Sequence, residues 1–125
     1  MRILVIDDEE MIRTLAIKVL NTAGHTVLTA ESGLAGIELL ERNPHMIDLA
    51  IVDNAMPGMT GFETIRGLQR LAPGLPCILS SGNQFGFNQI PDDLRICTSV
   101  LHKPYRPKEL VEKVLDVFRS ASSGD

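Results

Sequence analysis

Asp7, Asp8, Asp53, Ser81 and Lys103 are the residues of this chain whose chemistry and placement coincide. Each stands at the end of a short apolar run. Ile3-Leu4-Val5-Ile6 precedes the Asp7-Asp8 pair, Leu49-Ala50-Ile51-Val52 precedes Asp53, Cys77-Ile78-Leu79-Ser80 precedes Ser81, and Ser99–His102 precedes Lys103. Continuous apolar runs bounded by turn residues read as buried strands. In a parallel sheet their carboxyl ends share one edge, where ligands collect in open α/β folds. Three carboxylates, a hydroxyl and an ammonium would therefore meet. Clustered carboxylates raise one another's pKa unless a cation neutralises them. Mg²⁺ answers that need, binding through one or two carboxylates, with water and phosphate oxygens completing its shell. An aspartate beside Mg²⁺, with Lys103 balancing a further anion and Ser81 donating to it, suits in-line phosphoryl transfer to the Asp53 carboxylate.

Each residue taken alone has a simpler reading. Asp7 and Asp8 would cap the helix that follows. Asp53 would be a turn aspartate ahead of Met56-Pro57-Gly58, Ser81 an ordinary strand-end residue and Lys103 a solvated charge. The coincidence at four strand ends favours the joint reading. His25, His45 and His102 have no partners in the pattern and read as structural or exposed. The run Met56–Met59 reads as loop and core packing.

The elements that must position these groups follow from periodicity. Strands are expected at Arg2–Ile6, Thr26–Ala30, Leu49–Val52, Cys77–Ser80 and Ser99–His102. The first helix carries Ile12, Leu15, Ala16, Val19 and Leu20 at the spacing of a buried face, an acidic first turn, and Gly24 as its C-terminal cap. Ser32 caps a second helix that ends at Asn43-Pro44, with Leu34, Ala35, Ile37 and Leu40 inward. A third helix, from Gly61 to about Leu71, turns Phe62, Ile65, Leu68 and Leu71 inward. Residues 83–97 support only a short or irregular helix. Pro107 suits the first position of a last helix running to about Ser120, with Leu110, Val111, Val114, Val117 and Phe118 inward. Five strand–helix alternations imply an α/β fold: a (βα)5, doubly wound, parallel five-stranded sheet with right-handed crossovers. Residues 1–120 form that domain and 121–125 a disordered tail or linker stub.

At 125 residues, the chain has the length of one domain. A formal charge of −4, with Lys and Arg scattered, speaks against direct nucleic-acid binding. No apolar run approaches the ~20 residues of a membrane span, and no basic leader with a cleavage site precedes the first strand. The expectation is a cytoplasmic domain without membrane contact. Cys77 and Cys97 read as reduced, small buried hydrophobes. With three dispersed His they make no zinc site.

Three motifs then carry a family resemblance across essentially the whole chain. Val5-Ile6-Asp7-Asp8-Glu9, Asp53-Asn54-Ala55-Met56-Pro57-Gly58-Met59-Thr60-Gly61 and Lys103-Pro104-Tyr105 resemble the acidic pair, phosphoacceptor loop and Lys-Pro-aromatic motif of response-regulator receiver domains, which serve two-component signalling. The resemblance implies the flavodoxin-like strand order 2-1-3-4-5. It implies phosphorylation of Asp53 by a histidine kinase or histidine phosphotransfer protein. Mg²⁺ would be held directly by Asp8, Asp53 and the backbone carbonyl of Ala55, with Asp7 acting through water. Lys103 would contact the phosphoryl group, Ser81 would be the hydroxyl that moves to it, and a cis peptide would precede Pro104. Ala55 and Asn83 fall where members tune phosphate lifetime. Val100 stands where members often carry Tyr or Phe.

The resulting expectation is a phosphorylatable switch that assists its own phosphorylation and dephosphorylation without being an enzyme in the usual sense. Its output would come from an unidentified partner or further domain. Tyr105–Leu110 and the reduced fourth helix lean towards the receiver of a hybrid histidine kinase. An aspartate-nucleophile phosphohydrolase would need a second acid where Ala55 stands. A pseudo-receiver without phosphorylation is disfavoured by the intact set of Asp7, Asp8, Asp53, Ser81 and Lys103.

Overall fold

The computed structural model describes residues 1–82 and 89–123. Its elements run β1 (Arg2–Ile6), α1 (Glu10–Thr22), β2 (Thr26–Ala30), α2 (Gly33–Arg42), β3 (Leu49–Asp53), α3 (Gly61–Leu71), β4 (Cys77–Ser81), a 3-10 helix (Asp92–Leu94), β5 (Thr98–His102) and α4 (Pro107–Ser123). The five strands are all parallel, in the order β2-β1-β3-β4-β5. This is the doubly wound sheet that strand–helix alternation predicts. Within the irregular 83–97 stretch, the described part holds the 3-10 helix, which Arg66 of α3 grips through two hydrogen bonds of 3.1 Å to Asp93. Asn83 and residues 124–125 lie outside the described residues.

The strands bury both faces because side chains alternate along them. Leu4, Ile6, Val52 and Leu79 join the core that includes Ile65 and Leu68 of α3. Ile3, Val5, Ile51 and Ile78 join a second core, with Ala16 and Leu20 of α1 and Leu110 and Val114 of α4. Three local signals hold the helices in place. At the end of α1, Gly24 has φ +93. Its N–H donates to the Asn21 carbonyl while His25 N–H reaches the Leu20 carbonyl. That pair of hydrogen bonds closes the helix end, and a residue with a side chain would resist the backbone it needs. Ser32 Oγ accepts from Ala35 N–H at 3.1 Å to start α2. Thr60 and Glu63 form a reciprocal capping box at the start of α3, a T-x-x-E spacing that is visible in the sequence.

Four residues expected inward are instead exposed: Leu15 (36%), Leu34 (59%), Leu71 (42%) and Phe118 (36%). Leu34 fails for a clear reason. The buried line of α2 is Gly33, Gly36 and Leu40, and a count of apolar side chains passes over glycines. Gly36 lets α2 lie close on the sheet, because a Cβ there would run into the Ile6 side chain. Leu71 sits in the closing turn of α3 and Phe118 in the last turns of α4, beyond the buried Val114.

The close approach at Gly36 has a measurable consequence. Ile6 is fully buried, so a Cβ at Gly36 would force it to repack. Gly36→Ala is expected to lower stability by about 1–3 kcal/mol in urea unfolding, and adding Ile6→Val should recover part of that loss.

Candidate functional site

The site is built at the carboxyl edge of the sheet by hydrogen bonds that carry the strand ladders one residue further. Asp7 N–H donates to the Ala30 carbonyl (3.1 Å), Asn54 N–H to Ser80 (2.8 Å) and Lys103 N–H to Ser81 (2.7 Å). These bonds fix the backbone on which Asp7, Asp53 and Lys103 stand. The Lys103–Pro104 peptide that follows is cis.

Asp7 and Asp53 are buried (3% and 5%), while Asp8 is open to solvent. One carboxylate oxygen from each of the three lies within 4.8 Å of the others. Lys103 Nζ enters this cluster and donates to Asp7 Oδ2 at 2.9 Å and to Asp53 Oδ1 at 3.3 Å, with Glu9 Oε1 at 3.7 Å. Asp53 Oδ1 also accepts from Ala55 N–H at 3.3 Å.

The electrostatics follow from three acids around one base. Burial pushes the Asp53 carboxyl up to about 6, and the charge of Asp7 adds to it. Lys103 and the Ala55 N–H pull it back part of the way, while the hydrogen bond with Asp8 raises it. For Lys103, burial lowers the pKa, but Asp7 and Asp53 outweigh burial and hold it above the ordinary lysine value. The ammonium is therefore secure, and the aspartate is a strained anion that a further cation would relieve. Three carboxylates and no His or Cys make an all-oxygen donor set of the hard kind that suits Mg²⁺.

Asp7, Asp8, Asp53 and Lys103 thus converge as the sequence predicts. Ser81, 2% exposed, ends β4 beside them. Strand alternation puts it on the sheet face of Leu79 and Val100. Ala55 is exposed in the loop after β3. The simple capping role for Asp7 and Asp8 does not hold: the residue preceding α1 is Glu9, without a side-chain cap. Asp7 Oδ1 instead accepts Glu9 N–H at 2.9 Å, which shapes the loop. Val100 is half-buried against the α2/α3-side core. Cys77 and Cys97 are unpaired, and burial pushes the Cys77 thiol up to about 12, making it inert. His45 and His102 are exposed; His25 is half-buried, with its Nδ1 3.3 Å from the Met1 amino group.

Three contributors escape the sequence reading. Arg13 Nη1 donates to the Asp7 carbonyl at 2.8 Å. Glu9 comes near Lys103. Ser80, next to the expected Ser81, has a buried hydroxyl with no partner. No spacing rule marks Arg13. The alternation of β4 does place Ser80 level with Asp53.

Comparison with known proteins agrees with this geometry. Residues 3–115 match the response regulator receiver domain, and the chain belongs to that family, whose role is two-component signalling. The chain is 30% identical to the sensor kinase CckA of Brucella abortus over 93% of its own length and 12% of that protein. It is 32% identical to the phosphate regulon transcriptional regulatory protein PhoB of Pseudomonas aeruginosa, over 98% of this chain and 54% of PhoB. It therefore spans about half or less of these curated relatives. Among solved structures, a receiver domain protein from Clostridium thermocellum superposes with a TM-score of 0.85 at 28% identity, covering 97% of this chain and 96% of that one. The receiver domain of the hybrid histidine kinase CckA gives 0.80 at 30% identity, covering 94% and 99%. No helix among the described residues is long and apolar enough to cross a membrane.

The raised Asp53 carboxyl sets a pH dependence with a definite sign. Its folded pKa of about 6 lies above the unfolded value of 3.8. The folded state therefore holds the proton more tightly, and stability from this group is lost as pH rises from the unfolded value through the folded one. Without divalent ions, Asp53→Asn should be more stable than the parent at pH 7, by up to about 3 kcal/mol. The difference should vanish near the unfolded pKa in thermal melts across pH.

Proposed function

We propose that this domain is a Mg²⁺-dependent switch phosphorylated on Asp53 by a histidine kinase or histidine phosphotransfer protein. The observation that carries the reading is the Lys103 ammonium held between Asp7 and Asp53 inside a three-carboxylate cluster. Asp53 offers its carboxylate as the attacking oxygen. Asp8, Asp53 and the Ala55 carbonyl would hold the metal, with Asp7 acting through water. The metal, when bound, would neutralise charge on the transferring phosphoryl oxygens.

Lys103 needs no new charge to take part. It has only to transfer a hydrogen bond from Asp53 Oδ1 to a phosphoryl oxygen while keeping Asp7 as its anchor. That change withdraws a cation from the Asp53 oxygen and gives it to the new dianion. Ser81, on the adjacent strand end, is the hydroxyl that turns to the phosphoryl group. Val100 has no ring to swing, so packing around β4, rather than an aromatic flip, transmits the state. The site promotes gain and loss of its own phosphoryl group, with the phosphodonor protein supplying specificity. Similarity to CckA and its receiver favours a place in a hybrid histidine kinase phosphorelay, in the cytoplasm, where such phosphodonors act.

Incubation with acetyl phosphate and Mg²⁺ should add one phosphoryl group by intact mass. Asp53→Ala should abolish it, chelation with EDTA should prevent it, and Lys103→Ala should slow it by at least about tenfold. Addition that persists in Asp53→Ala would contradict the assignment.

A further inference from the structure

The β4 residue beside the proposed switch hydroxyl carries an unexplained polar atom. Ser80 is 1% exposed, and its Oγ has no hydrogen-bond partner. An unpartnered buried hydroxyl costs stability that an alanine would not. A core position tolerates that cost more readily where the hydroxyl has work elsewhere in the cycle.

The register shows what the hydroxyl faces. Ser80 pairs with Asp53 on β3 and with Leu101 on β5. In-register neighbours on adjacent strands share a sheet face. The same pairing puts Ile51 beside Ile78 and both in one core. Ser80 and Asp53 therefore lie side by side on the α1/α4 face, with Cβ atoms about 5 Å apart. Of the two lateral neighbours, Leu101 offers no side-chain acceptor. Asp53 does. Ser81, one residue on, falls on the opposite face.

We infer that Ser80 is a second hydroxyl donor of the site, directed at the Asp53 carboxyl during loss of the phosphoryl group. The inference rests on Asp53 being the phosphoacceptor. In the unmodified site Asp53 Oδ1 takes hydrogen bonds from Lys103 and Ala55, and Ser80 Oγ gives it none. Once Lys103 turns to the phosphoryl group, that oxygen loses a donor. In hydrolysis, water attacks phosphorus and the bond between phosphorus and the Asp53 oxygen breaks. Its electron pair returns to the carboxylate, and both water protons leave on inorganic dihydrogen phosphate. Negative charge grows on the Asp53 carboxyl as that bond lengthens. A desolvated hydroxyl with no other partner to surrender is poised to stabilise it. Ser80 thus shortens the phosphate lifetime.

The test loads the parent, Ser80→Ala and Ser80→Cys with acetyl phosphate and Mg²⁺, removes the donor, and follows decay of the adduct by intact mass beside thermal melts. Ser80→Ala should melt at or above the parent temperature, since it removes an unpaired hydroxyl. Its adduct should decay about three- to tenfold more slowly, the worth of one hydrogen bond. Ser80→Cys keeps the side-chain volume with a weak donor and should also decay slowly, which answers the question should the alanine variant fold poorly. Folded variants that decay at the parent rate would overturn the inference, as would a marked fall in melting temperature for Ser80→Ala. A parent that takes up no phosphoryl group would overturn the phosphoacceptor reading and this inference together.

Discussion

One ammonium between two buried carboxylates is the interaction on which the rest of this structure depends. Lys103 directly follows β5, Asp7 directly follows β1 and Asp53 ends β3. Their contact ties together strands that are not sheet neighbours, since β1 and β5 are separated by β3 and β4. Without Lys103, two anions would share a desolvated edge, an arrangement that burial and mutual repulsion both oppose. With it, the cluster is only partly compensated, as the raised Asp53 carboxyl records. The fold therefore keeps an unmet demand for positive charge at one end of its central strand. That demand is one a divalent cation held by oxygen ligands would meet.

The surrounding structure is arranged to hold that arrangement still. The ladder bonds beyond the strand ends fix the backbone, and Arg13 braces the Asp7 carbonyl from α1. Gly36 lets α2 seat closely on β1, behind Asp7. Rigid strands below and loops above are the usual division of labour in an α/β switch, because a site on strand ends is precise while its loops remain free to respond.

Much of this was legible in the sequence because its grammar is positional. Apolar runs end at Asp7, Asp53, Ser81 and Lys103, and a parallel sheet turns four separate ends into one edge. Helix faces were less legible where glycine carries the packing. Gly33 and Gly36 are buried in α2 and Leu34 is not, since close approach of a backbone leaves no apolar side chain to count. Helix ends also misled, with Leu71 and Phe118 exposed where the periodic stripe outruns the core beneath it. Ser80 carries no signal in the sequence, because a serine in a strand looks like a minor polar substitution. Only the register, which sets it level with Asp53, gives it meaning. Arg13 and Glu9 act through a backbone carbonyl and a looser ion pair, and neither leaves a signature in residue type or spacing.

Burial and the charge of Asp7 hold the Asp53 carboxyl up to about 6, so a divalent cation binding there would displace a proton at that pH. Calorimetric titration of the protein with Mg²⁺ at pH 6, in two buffers of different ionisation enthalpy, measures this most directly, because metal binding to a protonated carboxylate releases a proton. The expected result is a buffer-dependent heat corresponding to release of about half a proton per ion, and none in Asp53→Asn. A heat independent of buffer, or equal proton release in Asp53→Asn, would contradict it.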